Sequence, residues 1–165
     1  MPFIFLYCFW GVCILVLFYM ISKSLAETQK IAQEFLQKLI PHKDAATVVG
    51  LFGDLGSGKT AFTQAVAREL GVKEFVTSPT FVIMKIYPLR STISNLQSTN
   101  LIHIDAYRLE SGGELSTLGF SEILKDPKNI IFIEWPERVE NILPKNLIKI
   151  NFKFISEFER EIDMV

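Results

Sequence analysis

The chain has 165 residues, a formal net charge of −1 and 49% apolar residues, enough for one domain with a full core. With a pI near 6.1 it offers no basic stripe, which argues against gripping nucleic acid unaided, because neutralising phosphates takes clustered Lys and Arg. Its two cysteines, Cys8 and Cys13, both lie in the first apolar stretch. Neither a disulfide framework nor a cysteine-rich zinc site can be built from them, and a reducing, cytoplasmic setting is the default expectation.

Residues 1–21 carry no charge and are apolar apart from Pro2 and Gly11. Roughly 20 such residues suffice to cross a bilayer as a helix. Two readings stay open: an inner-membrane anchor with Lys23 and Lys30 on the cytoplasmic side, or an upstream start codon chosen in error, with Met20 beginning the product. A cleaved signal is disfavoured, since no basic segment precedes the apolar run. The expected division is therefore residues 1–21 as an apolar leader and 22–165 as a single domain.

Ser24-Leu25-Ala26-Glu27 has the form of a capping box. From it Leu25, Thr28, Ile31, Ala32, Phe35, Leu36, Leu39 and Ile40 recur at helical spacing, and Pro41 ends the helix. Thr47-Val48-Val49-Gly50-Leu51-Phe52 is a short apolar strand. Next comes Gly53-Asp54-Leu55-Gly56-Ser57-Gly58-Lys59-Thr60, which fits G-x-x-x-x-G-K-[ST], and then a helix-favouring run over 61–70 with Gly71 placed to close it. Strand, glycine loop and helix together give the motif its meaning. The glycines let backbone N–H groups turn toward an anion, and the helix N-terminus adds its positive end. Lys59 is placed to reach the β- and γ-phosphates of a nucleoside triphosphate, and Thr60 to ligate Mg²⁺.

Beyond this, Pro79 breaks any helix within Ser78-Pro79-Thr80. Residues 81–87 read as a strand, and the Ser, Thr and Asn content of 91–100 as a surface loop. Strands over 101–105 and 129–134 end in Asp105 and Glu134. A helix is expected over 113–118, a break at Gly119, and a turn to Lys125. Residues 147–155 and 159–165 read as an antiparallel hairpin. The fold class is thus α/β: a P-loop-type, mostly parallel sheet flanked by helices, with antiparallel C-terminal strands.

Ligands in such sheets gather at the carboxyl ends of the strands, where Asp105 and Glu134 both fall. The more continuously apolar strand is the more central, which gives Glu134 the metal side and Asp105 the attacking water or an outer position around the metal. His103 shares a strand face with Asp105 and either orients that carboxylate or fills the core. Tyr107 and Arg108 lie just past the strand end, where Arg108 is within reach of a phosphate or an acidic partner. Trp135 either covers the site or packs beneath it. Ser78 and Thr80 are either a switch-like approach to the γ-phosphate or a capped proline turn.

Four ordered segments carry a resemblance: the glycine loop, Ser78-Pro79-Thr80-Phe81, His103-Ile104-Asp105-Ala106-Tyr107-Arg108-Leu109, and Ile133-Glu134-Trp135-Pro136-Glu137-Arg138. Together they resemble the TsaE (YjeE) ATPases of bacterial tRNA threonylcarbamoyladenosine synthesis, over about residues 22–162. The resemblance implies a Mg²⁺-dependent ATPase, stimulated by partners, that is not itself the threonylcarbamoyl transferase. It would act with TsaD- and TsaB-type proteins, and so only indirectly on tRNA, in modifying adenosine 37 of tRNAs that read codons beginning with A. By this likeness Lys59 binds phosphate, Thr60 and Glu134 hold Mg²⁺, Asp105 supports hydrolysis and Trp135 lies beside the site. Leu25 and Arg160 would flank the nucleotide. Ser57 departs from the family's usual Ala and Ala61 from a common Thr; neither removes the backbone cradle or Lys59. Residues 1–20 have no family counterpart. Two rivals remain on the sequence alone: a small-molecule kinase, for which no arginine-rich lid is visible, and a nucleotide-gated binding module.

Overall fold

Three apolar runs make the middle of one sheet because both of their faces need cover. The computed structural model describes residues 18–89 and 98–165. Within them β1 (Phe18–Ser22), α1 (Leu25–Lys38), β2 (Thr47–Phe52), α2 (Lys59–Glu69), β3 (Met84–Pro88) and β4 (Asn100–Asp105) come first. Then follow α3 (Gly112–Thr117), α4 (Phe120–Lys125), β5 (Asn129–Glu134), a 3₁₀ turn (Pro136–Ile142), β6 (Ile148–Phe154) and β7 (Arg160–Met164). The seven strands lie in the order β1-β7-β6-β2-β5-β4-β3. The inner four, β6, β2, β5 and β4, are parallel; β3 and the β7–β1 pair add antiparallel edges. Every residue of β5 is buried, as a central parallel strand requires.

Two apolar layers sandwich the sheet. On one face α1 and α2 bring Phe35, Leu36, Phe62 and Val66 down onto Val49, Leu51, Phe132 and Phe152. Phe62 sits at the middle of that layer, with ring centroids 5.9 Å from Phe35, 6.5 Å from Phe132 and 5.5 Å from Phe152. On the other face α3, α4 and the 3₁₀ turn place Leu115, Phe120 and Val139 against Ile102, Ile104, Ile131 and Ile133. The phosphate-loop helix is thereby fixed to the strands that carry the two carboxylates.

The helix start at Ser24 is as expected, its hydroxyl accepting from Glu27 N at 3.2 Å. The Glu27 carboxylate reaches one residue further back than a standard capping box, to Lys23 N at 2.7 Å. α1 stops at Lys38. Leu39 still packs into the core, whereas Ile40, expected on the buried face, is 85% exposed beyond the helix end. The expected strand over 81–87 begins only at Met84. Before it the chain turns, with Val82 N and Ile83 N both donating to Pro79 O and Ile83 at φ 65°. Gly119 breaks α3 from α4 with φ 79°, and β6 and β7 form the expected hairpin.

Strand β1 was not legible in the sequence. Residues 18–21 belong to the uncharged run, yet Met20 pairs with Ile162, and Ser22 with Arg160, on the outer side of β7. The rest of that run, 1–17 with both cysteines, lies outside the described residues, as do Arg90 and the 91–97 part of the polar loop. No helix among the described residues is long and apolar enough to cross a membrane.

Candidate functional site

The site forms where β2 gives way to α2. Gly53, Gly56 and Gly58 hold φ of 134°, 78° and 103°, values that side chains other than glycine's rarely tolerate. At Gly53 a β-carbon would also come within 2.2 Å of Phe152 O, so the backbone of β6 fixes how the loop leaves the sheet. Lys59 opens α2 and folds back into the loop, donating to Gly53 O at 2.5 Å and Asp54 O at 2.8 Å. Its ammonium lies 4.2 Å from the centre of the Trp135 ring. Only 4% of this residue is exposed. Burial pushes its ammonium below the ordinary lysine range, opposed by attraction to Glu134, Glu137, Asp105 and Asp54. A desolvated cation inside a glycine cradle, hydrogen-bonded only to backbone carbonyls among the described residues, has the make-up of an anion site.

The two carboxylates stand side by side. β4 and β5 run parallel with Asp105 opposite Glu134, and β5 in turn pairs with β2, with Glu134 opposite Leu51. Glu134 faces the loop: the Thr60 hydroxyl donates to it, 2.8 Å from Oε1 and 3.0 Å from Oε2. Asp105 faces a different set of groups. Its Oδ2 accepts from Ser78 Oγ at 2.6 Å and from Thr80 Oγ1, and its Oδ1 from Tyr107 N at 3.0 Å. Leu55, Gly56, Gly58, Lys59, Thr60, Ser78, Thr80, Asp105, Tyr107, Glu134 and Trp135 thus line one open cleft of about 380 Å³.

Several placements were beyond sequence reasoning. His103 touches Glu134, not Asp105, with Nε2 2.8 Å from Oε1. Arg108 lies over the Phe81 ring at 4.5 Å rather than on a phosphate position. Glu137, on the 3₁₀ turn, joins the charges acting on Lys59; the family-like Glu-Trp-Pro-Glu spacing was its only signal. Trp135 occupies the left-handed region at φ 59° and stacks near Tyr107, with ring centroids 5.0 Å apart. This conformation is costly for a bulky side chain, and it turns the indole toward Lys59. The Ser57 hydroxyl is buried in the loop with no partner among the described residues.

Leu25 and Arg160 fall outside that cleft. Leu25 is 64% exposed and borders a neighbouring groove with Gln29, Ala61, Gln64, Arg68 and Phe75. Ala61 lines both spaces. Arg160 reaches across the hairpin to the loop, its Cδ 2.9 Å from where a Gly58 β-carbon would stand.

The residues present suit a magnesium nucleotide. No cluster of three or more ligating side chains exists among the described residues, and Mg²⁺ does not need one: it typically takes one or two protein oxygens, its own waters and the substrate phosphates. The Thr60 hydroxyl and the Glu134 carboxylate are oxygens of that kind and lie together beside the glycine cradle.

This architecture defines a P-loop protein, with the phosphate loop at the carboxyl end of a central parallel strand and acids on the next two strand tips. The chain belongs to the TsaE family: the model described as "Threonylcarbamoyl adenosine biosynthesis protein TsaE" matches residues 22–162. Relatives carrying the name tRNA threonylcarbamoyladenosine biosynthesis protein TsaE include that of Rickettsia prowazekii, 36% identical over 83% of this chain and 87% of that one. That of Borreliella burgdorferi is 41% identical over 64% of this chain and 72% of its own length. Among solved structures, that of Bacillus subtilis YdiB superposes with a TM-score of 0.66 at 29% identity, covering 90% of this chain and 84% of that one.

Proposed function

We propose that this chain is the ATP-binding and ATP-hydrolysing component of the machinery that makes N6-threonylcarbamoyladenosine at position 37 of tRNAs reading codons that begin with A. It works with TsaD- and TsaB-type proteins and does not transfer the threonylcarbamoyl group itself. The observation that carries the nucleotide reading is the buried Lys59 folded into the glycine loop, in one cleft with the bonded pair Thr60 and Glu134. Family membership and the names of the relatives support the tRNA reading. The small net charge fits a protein that meets partner proteins rather than tRNA directly.

In this reading backbone N–H groups of residues 53–60 and the N-terminus of α2 hold the α- and β-phosphates, and Lys59 reaches the β- and γ-phosphates. Thr60 and Glu134 would hold Mg²⁺, which supplies charge neutralisation on the transferred phosphoryl oxygens. Asp105 already accepts three hydrogen bonds, from Ser78, Thr80 and Tyr107 N. One acceptor position remains on Oδ1, which suits orienting a single attacking water. Trp135 shields Lys59 from solvent and so strengthens its hold on phosphate. Leu25 and Arg160 flank the nucleotide from the α1 and hairpin sides. The protein acts in the cytoplasm.

The test is co-purification of the full chain with its cognate TsaD- and TsaB-type proteins, with and without ATP, alongside the fate of labelled γ-phosphate. ATP-dependent capture and release of inorganic phosphate are expected. Transfer of the label to a metabolite would make the chain a kinase. Intact tRNA modification in cells carrying a hydrolysis-dead Asp105→Ala chain would make it a nucleotide-gated module.

A further inference from the structure

Strand β4 carries an anomaly. Leu101, Ile102 and Ile104 are wholly buried and apolar, and between them His103 is equally buried, at 0% exposure. A polar ring in such a place is tolerated when its nitrogens are satisfied. Here only one is: Nε2 lies 2.8 Å from Glu134 Oε1, and Nδ1 has no partner among the described residues. Against an ionised carboxylate the ring nitrogen is the donor, so we assign the proton to Nε2, which makes Nδ1 the bare nitrogen of a neutral ring. Among the described residues, the one hydrogen bond of this ring goes to Glu134.

That bond matters because Glu134 has three cationic or donor neighbours competing for it. Oε1 accepts from both His103 and the Thr60 hydroxyl, while the Lys59 ammonium attracts the same carboxylate. We propose that His103 is a positioning residue: its Nε2–H pins Glu134 toward Thr60, so that the carboxylate serves the magnesium nucleotide instead of collapsing onto Lys59. The inference rests on the reading of Thr60 and Glu134 as the magnesium side of the site. It concerns orientation, in the manner of outer groups that fix metal-ligating carboxylates.

The experiment is a Mg²⁺ titration of fluorescent ATP-analogue binding to the full chain and to two variants, His103→Phe and His103→Gln. The glutamine Nε2 occupies nearly the same place as the imidazole Nε2, so Gln keeps the donor and Phe removes it while keeping a ring. Affinity measured without Mg²⁺ should stay within about twofold of the parent in both, since the phosphate cradle is untouched. The half-saturating Mg²⁺ concentration should rise about tenfold in His103→Phe and return to near the parent value in His103→Gln. An unchanged Mg²⁺ response in His103→Phe would overturn the proposal, as would equal loss in both variants, which would make His103 a packing residue. If His103→Phe does not fold, the ring nitrogen resonances of the unmodified protein decide. An Nε2–H tautomer supports the proposal and an Nδ1–H tautomer overturns it. A parent chain that binds the analogue with no response to Mg²⁺ would instead overturn the magnesium reading on which the inference stands.

Discussion

Replacing Lys59 with methionine separates what this side chain does for the fold from what it does for the ligand. Lys59 is buried, and its ammonium is held by two carbonyl oxygens, those of Gly53 and Asp54. Its affinity for protons is depressed by burial, so charge at this point is a burden on the unliganded fold. Methionine nearly keeps the length and removes the buried charge, but it also takes the donor from the Gly53 and Asp54 carbonyls, so relief of burial and loss of two hydrogen bonds oppose each other in the fold. Phosphate binding changes in the opposite sense. An ammonium about 4 Å from a phosphate charge contributes roughly 4 kcal/mol at an effective dielectric of about 20, offset in part by leaving the two carbonyls. A net loss of about 2–4 kcal/mol corresponds to roughly 30- to 700-fold weaker ATP binding. Calorimetric titration and thermal melting of Lys59→Met measure both quantities. The expected pair is a melting temperature within a few degrees of the parent's, since the two effects on the fold oppose each other, with affinity lost by at least thirtyfold. A melting temperature several degrees lower with affinity retained would refute the assignment of Lys59 as the phosphate cation.

The same depression sets a pH dependence. Because the folded chain releases the Lys59 proton below 10.5, raising the pH toward that value adds stability through this group while discharging the phosphate ligand. ATP affinity should therefore fall with alkali in the parent and stay flat in Lys59→Met, as titrations between neutral pH and about pH 10 would show. Asp105→Asn should bind ATP within a few-fold of the parent yet lose about 100-fold or more in phosphate release, measured by a coupled phosphate assay. Thr60→Val should leave Mg²⁺-free nucleotide binding intact and remove its enhancement by Mg²⁺. Phe62→Ala, which removes the ring that three other aromatic rings pack around, should cost about 3–5 kcal/mol in urea unfolding.

The parts of this molecule that were legible from the sequence are those with local causes. The cap at Ser24, the breaks at Pro41 and Gly119, the phosphate loop and the acids at the ends of two apolar strands all follow from nearby residue types. The pairing of Asp105 with Glu134 across β4 and β5 follows from the rule that ligands collect at strand tips. What escaped was set by contacts distant in sequence. β1 looked like part of a membrane-type run because its hydrophobicity is uniform; it is a strand because the outer edge of β7 was open to it. The turn at 79–83 defeated a strand-like composition because Ser78 and Thr80 tie that segment to Asp105, which lies 25 residues beyond Thr80. Periodicity put His103 on a face with Asp105, but only the sheet register brings Glu134 closer to its ring. Leu25 and Arg160 came from resemblance alone. The fold puts Arg160 against the loop at Gly58 and Leu25 in a neighbouring groove, both outside the cleft that holds Lys59, Thr60 and the two acids.

The measurement that bears most directly on the central claim is ATP binding by the full chain, followed by calorimetry with and without Mg²⁺. Binding that is saturable, strengthened by Mg²⁺ and abolished by Lys59→Met together with Glu134→Ala is the expected result. ATP binding that is absent, or indifferent both to Mg²⁺ and to these two residues, would contradict it.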